Sequence, residues 1–339
     1  MKIRWKKWLA IGMSTVFLFC GCGGSQDASE KDSEDAFPEE MYKESHEMED
    51  AVGEQMAPQA GAPVSLGTVC IPEASGTVVY GGTAESQGVT MDASNLSDGY
   101  IMIKCDNGTD KKKKIIIQGP SGVKYTYDLN KIAEYETFGF SDGNGTYHIG
   151  IYENVEGTKY STLFTQSVDV EMENPFAPFL CANQYVYFTP ESNAVKKAEE
   201  LTVNMTDELE KVQEVYHFVI NHVVYDAEEA ATVESGYLPD VDEVLSTQKG
   251  ICFDYAALMS AMLRSQNVPT KLVVGYTGSA YHAWISTYTI KSGWVEGVIF
   301  FDGTTWKLMD PTFASSSSSS DEIMKYIGDG KNYKEKYLY

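Results

Sequence analysis

Between residues 64 and 173 apolar and polar side chains alternate in short runs separated by turn residues. Tyr100-Ile101-Met102-Ile103-Lys104-Cys105 is one such run, followed by Asp106-Asn107-Gly108. Residues 114–118 and 123–127 flank Gly119-Pro120-Ser121-Gly122, and residues 146–152 and 167–172 alternate again. A period of two puts successive side chains on opposite faces of a strand. At roughly ten residues per strand, the spacing predicts an antiparallel β-sandwich of Ig-like form. The basic run Lys111 to Lys114 reads as a charged hairpin edge that discourages further strand pairing. No residue set in this half points to chemistry.

After Pro175 and Pro178 the rhythm changes. Residues 184–188 read as a strand. Thr206, Asp207 and Glu208 suit a helix start, and Leu209, Val212, Val215, Tyr216, Val219, Ile220 and Val223 then recur at three- and four-residue steps. His217 and His222 lie five apart on that helix, which is not a metal-pair spacing, and read as packing or surface residues. A second helix is predicted from Cys252 through Arg264, ending at Asn267-Val268-Pro269. Residues 271–276 predict a strand, 275–279 a loop and 281–285 the start of another strand. Residues 298–301 and 305–309 predict a hairpin about Asp302-Gly303. Ser315 to Ser320 reads as a flexible surface loop, and residues 326–339 as a final strand or helix. The second half is thus α+β.

The N-terminus has a different character. Lys2, Arg4, Lys6 and Lys7 precede an apolar stretch from Trp8 to Phe19, too short to span a bilayer comfortably. Gly21 before Cys22 has the form of a lipoprotein cleavage site, with Cys22 as the lipidated residue. Cys20, behind bulky Phe19, suits it less well, and an ordinary signal peptide is the alternative. Residues 22–63 are acidic and poor in aromatics, and predict a disordered linker. The expected layout is a signal peptide over 1–21, this linker, a β-sandwich over 64–180 and a second domain over 181–339. It predicts a lipid-anchored protein on the extracytoplasmic face of a bacterial membrane.

Net charge is −23, and about −27 once the leader's four cationic residues are removed. That excludes nucleic acid as a partner and charge-driven adhesion to an anionic membrane. The cysteines show no metal spacing, so neither a metal nor a cofactor is expected. Two of Cys70, Cys105 and Cys181 could form a disulfide in an oxidising compartment, and sequence does not choose the pair.

The chemistry concentrates around Cys252. It follows Gly250 and opens a predicted helix, where unpaired N–H groups and the helix dipole favour a thiolate, the nucleophilic form. A thiolate needs a base, and His282 begins a strand in Tyr281-His282-Ala283-Trp284. Asp310, before Pro311 at the end of a predicted hairpin strand, can accept the imidazole N–H and fix its tautomer. Singly each residue has an ordinary reading as packing, surface or turn; together they form a nucleophile, a base and an orienting carboxylate.

Gly250-x-Cys252-x-Asp254-Tyr255-Ala256, then Gly275-Tyr276…His282-Ala283-Trp284, then Trp306…Asp310-Pro311-Thr312, resembles the three blocks of the transglutaminase-like superfamily, over roughly residues 183–339. The resemblance implies a papain-like core, a Cys-bearing helix packed on an antiparallel sheet that bears His and Asp. It implies Cys252 as nucleophile, His282 as general base and acid, and Asp310 as orienting carboxylate, acting on a protein or peptide substrate such as a cell-wall or surface protein. The Gly-Ile-Cys-Phe-Asp-Tyr form is like that of exported bacterial members, and the calcium sites of animal relatives have no visible counterpart. The Cys252 N–H is one oxyanion donor, with Gln248 and Tyr225 as candidates for the other. A non-catalytic surface scaffold acting through the β-sandwich is the rival reading.

Overall fold

The computed structural model describes residues 67–277, 280–291, 293–295, 299–301, 306–308 and 333–339. The expected leader, Cys22, the acidic linker, Asp310 and the serine run lie outside the described residues. Among the described residues no helix is long and apolar enough to cross a membrane. The chain divides into two units between Gln184 and Tyr185.

The first unit holds strands β1 (Val79–Gly81), β2 (Val89–Asp92), β3 (Tyr100–Cys105), β4 (Lys113–Gln118), β5 (Lys124–Leu129), β6 (Glu136–Gly139), β7 (Gly145–Glu156) and β8 (Lys159–Val170). They form two antiparallel sheets, ordered β1-β2-β3-β6 and β5-β4-β7-β8. Alternation does what it predicts: Ile115 and Ile117 of β4 and Tyr125, Tyr127 and Leu129 of β5 are buried, with partly exposed residues between them. Tyr127 meets Phe138 of β6 edge to face at 4.9 Å, so the two sheets share a core. A disulfide joins Cys70 to Cys181 across 111 residues of sequence, tying the start of the unit to its end. Cys105 stays a buried free thiol, its pKa pushed up by burial.

One expectation here is corrected. The Lys111 to Lys114 run does not mark a sheet edge, because β4 lies between β5 and β7. Lys113 turns inward instead, its Nζ donating to the Thr109 and Lys111 carbonyls at 3.0 and 3.2 Å and lying 3.7 Å from Glu153. A buried ammonium is tolerated there because carbonyls and a carboxylate surround it.

The second unit contains α1 (Asn193–Leu201), α2 (Glu208–His222), β9 (Val224–Tyr225), α3 (Ala227–Thr232), α4 (Val241–Thr247), β10 (Lys249–Gly250) and α5 (Cys252–Ser265). Strands β11 (Thr270–Thr277), β12 (Ala280–Thr289), β13 (Gly293–Val295), β14 (Ile299–Phe301), β15 (Trp306–Leu308) and β16 (Tyr333–Leu338) follow. The main sheet runs β13-β12-β11-β16, all antiparallel, and β14 pairs with β15 as the predicted hairpin. Aspartates cap three helices: Asp207 accepts from Leu209 N, Asp226 from Glu228 and Glu229 N, and Asp240 from Asp242 and Glu243 N.

Helix α5 is the hub, packing on β11 and β12 with α1, α2 and α4 around it. Every residue from Asp254 to Arg264 is buried. At about 1.5–3 kcal/mol for each large apolar side chain, Leu258, Met259, Met262 and Leu263 alone outweigh any helix propensity. The helix is therefore held by its surroundings. Its far end is fixed by fully buried Arg264, whose Nε donates to Thr270 O at 2.9 Å and whose Nη2 donates to the Tyr339 backbone oxygen at 2.6 Å. Burial lowers the Arg264 pKa to about 9.

Two local expectations fail. Residues 184–188 make no strand; Val186 and Phe188 are buried, and Tyr185 packs its ring on Phe253 at 5.3 Å and Tyr339 at 4.6 Å. Gly275 and Tyr276 do not open a loop, because β11 continues to Thr277 in full register with β12.

Candidate active site

The segment that delivers Cys252 is built by close backbone packing. Parallel pairing sets Lys249 beside Val224 and Gly250 beside Tyr225. The Val224 N–H donates to Gln248 O at 2.9 Å and the Asp226 N–H to Gly250 O at 3.0 Å. Gln248 takes a left-handed conformation (φ 60°) that turns the chain out of α4. At Gly250 a β-carbon would stand 2.6 Å from the Asp254 β-carbon, so the position has room only for glycine. Ile251 is extended (φ −92°, ψ 177°), and Cys252 is the first residue of α5. Its thiol is free and half-buried. At this position, the first of the helix, the backbone N–H has no intrahelical partner.

The first turn is braced from within. The Asp254 carboxylate accepts the Ile251 N–H at 2.8 Å and the Tyr237 hydroxyl at 2.7 Å. Burial pushes its pKa up to about 6, against the lowering effect of those two hydrogen bonds. Tyr237 is raised in turn by its own burial and by Asp254. The Tyr255 hydroxyl donates to Val223 O at 2.7 Å, fastening the helix to the end of α2.

His282 lies on β12 opposite Gly275 of β11 and is 2 % exposed. Its ring stacks near that of Trp284, centroids 6.2 Å apart at 23°, and Tyr333 of β16 meets Trp284 edge-on at 5.1 Å. A β-carbon at Gly275 would come within 2.1 Å of Lys334 O and 2.8 Å of the Trp284 ring, so this glycine lets β16 and the indole close over the strand. Trp284 therefore packs, and Trp294 shares its face with Lys271, whose Nζ lies 4.0 Å from the ring centroid.

The structure thus packs the helix that begins with Cys252 on the strand that carries His282. Asp310 falls two residues past β15, outside the described residues. Of the two oxyanion candidates, Gln248 is engaged elsewhere, its Nε2 3.0 Å from His222 Nε2, while Tyr225 sits at the pairing position beside Gly250. His222 stacks on Phe218 at 4.7 Å and His217 is exposed, as expected of a packing and a surface residue. Among the described residues no group of His, Cys, Asp or Glu is arranged to hold a metal. Sequence reasoning assigned no role to Asp254 or Tyr237. The signal for Asp254 was its place three residues after the last non-helical residue, the spacing of a reciprocal cap. Tyr237, in a loop 17 residues away, left none.

Comparison with known proteins bears on the same region. The chain is 28 % identical over 137 residues to kyphoscoliosis peptidase of Mus musculus, covering 35 % of this chain and 20 % of that protein. It is 28 % identical over 106 residues to a UPF0252 protein of Methanocaldococcus jannaschii, covering 27 % of this chain and 30 % of that one. The chain thus spans less than a third of the length of either relative. A solved structure of a candidate cysteine protease from Cytophaga hutchinsonii aligns at 15 % identity and a TM-score of 0.36, over 71 % of this chain and 83 % of that one. The family model that matches is that of the transglutaminase-like superfamily, and the match runs from α1 through α5 and β12: residues 195–298 form a transglutaminase-like domain.

Proposed function

We propose that the protein is an extracytoplasmic, lipid-anchored enzyme that performs cysteine-dependent acyl transfer on protein or peptide amides through a thioester. Cys252 is the nucleophile, His282 the general base and acid, and Asp310 the carboxylate that orients the imidazole. The observation that carries the reading is the seating of a free, half-buried thiol as the first residue of a buried helix packed on the strand of a buried histidine.

The chemistry follows from those positions. The Cys252 thiolate attacks an amide carbonyl, the C–S bond forms, and the carbonyl electron pair moves onto oxygen. The Cys252 N–H faces that developing charge without an intrahelical partner to satisfy. Collapse breaks the C–N bond as His282 gives its proton to the departing amine. The thioester then passes to a primary amine, which is crosslinking, or to water, which is deamidation for a Gln side chain and hydrolysis for a peptide bond. Burial of His282 against Trp284 and Tyr333 shields the imidazole from water and narrows its orientations.

The Cys70–Cys181 disulfide supports an oxidising, extracytoplasmic setting, and the leader and Cys22 supply the anchor. The two-sheet first unit fits the Ig-like form. The second reading, a binding scaffold acting through that unit, is favoured by one observation. A concave patch of about 480 Å³ lies on its β5-β4-β7-β8 sheet, lined by Gln118, Lys124, His148 and Tyr152 among others. A Gln-bearing peptide offered with and without a primary amine tests the enzyme. An amine adduct marks a transferase, released acid a deamidase and backbone cleavage a peptidase. No product in any arm, with Cys252 alkylated no faster than an ordinary thiol, leaves only the scaffold.

A further inference from the structure

The mechanism above leaves one buried titratable group beside the nucleophile unused. Asp254 is 0 % exposed, two residues after Cys252 in the same helical turn. Its side chain folds back past the start of α5 into the space left by the missing side chain of Gly250. One carboxylate oxygen takes the Ile251 N–H and the other takes the Tyr237 hydroxyl. The grip therefore falls on the peptide immediately before Cys252. Building on the assignment of Cys252 as nucleophile, we propose that Asp254 is a positioning residue that fixes the Ile251–Cys252 backbone and, through its charge, sets the pH at which the Cys252 thiolate forms.

The physical reason is competition for one resource. A helix start offers about half a positive charge, and an anion in the first turn draws on it. A thiolate at Cys252 and a carboxylate at Asp254 both do so, and they repel each other, so ionised Asp254 disfavours the thiolate and neutral Asp254 favours it. The groups facing Asp254 are Tyr237, whose hydroxyl stabilises the ionised form, and Glu229 of α3 and Glu243 of α4, whose charges oppose it. With burial added, the balance places its titration near pH 6, where a change of a few tenths of a unit alters the charge at the head of the helix.

The test is the rate of iodoacetamide alkylation of Cys252, followed by peptide mapping from pH 4.5 to 9 in the full chain. The parent should show an inflection near pH 6 superimposed on ionisation of the thiol. Asp254→Asn retains an oxygen for the Ile251 N–H and removes the charge. The inflection should vanish and alkylation above it should rise about two- to five-fold, the range that a helix-end charge is worth. Tyr237→Phe leaves the Ile251 contact and withdraws a hydrogen bond from the carboxylate, so the inflection should move to higher pH. Should Asp254→Asn fail to fold, Tyr237→Phe decides alone. Profiles that superimpose on the parent, or slower alkylation in folded Asp254→Asn, overturn the proposal. Alkylation needs no acyl substrate, so an absence of turnover on amides would sink the proposed reaction and leave this test intact.

Discussion

Cys105 of the strand-rich unit and Cys252 of the transglutaminase-like domain are both free thiols, in opposite settings. Cys105 ends a strand, is 2 % exposed and has its ionisation suppressed by burial. Cys252 starts a helix, is reachable, and has a histidine strand packed against its helix. Side-chain chemistry is identical, so the difference lies in placement: a strand end inside a core closes a sulfur off, while a helix head leaves it accessible beside unpaired backbone N–H groups. The first unit uses its other pair, Cys70 and Cys181, for a crosslink.

The contrast can be broken most severely at Cys252, the proposed nucleophile. Cys252→Ala should lower amide acyl transfer by about 10⁴-fold, measured by amine incorporation into a Gln peptide, whereas Cys105→Ser should leave the rate unchanged. Equal losses from both would erase the distinction. His282→Asn should cost about 10²–10⁴-fold in the same assay, with the circular dichroism of the parent retained. Removing the crosslink with Cys70→Ala and Cys181→Ala should destabilise the first unit by about 2–5 kcal/mol in denaturant titration, while Cys252 alkylates at its parental rate.

A smaller effect separates Asp254, whose pKa is raised, from the carboxylates whose pKa is lowered. Asp254 has a folded-state pKa above its ordinary value. Its protonated form is the one the fold prefers, so stability falls as pH rises from about 4 to 6, by up to about 3 kcal/mol. Asp92, Asp207 and Glu153 are shifted down, and their contribution is lost in the opposite direction, as pH falls through their lowered values. Subtracting the pH–stability curve of Asp254→Asn from that of the parent isolates the first effect. A difference that does not change between pH 4 and 7 would show that Asp254 ionises freely.

Period and punctuation made much of this architecture legible. Tyr100 to Cys105 is a strand to the residue, α2 begins after the Asp207 cap, and α5 starts at Cys252 because Gly250 precedes an unbroken run of helix formers. What stayed hidden was set by distant neighbours. The short α3 and α4 carry little periodicity and exist through their aspartate caps. The inward turn of Lys113 depends on Glu153, 40 residues along the chain. The pairing of Cys70 with Cys181 depends on where the two ends of the first unit's folded part meet. Gly275 looked like a loop residue because its true requirement, room for Lys334 and Trp284, belongs to other strands.

Arg264 gives the domain a mechanical property that its chemistry would not suggest. One guanidinium joins the tail of α5 to the start of β11 and to the strand edge at Tyr339, while the Asp254 carboxylate clamps the head. A rod held at both ends neither frays nor tilts easily. Its central amides should exchange with deuterium only on global opening, and the sulfur it carries should keep one fixed station.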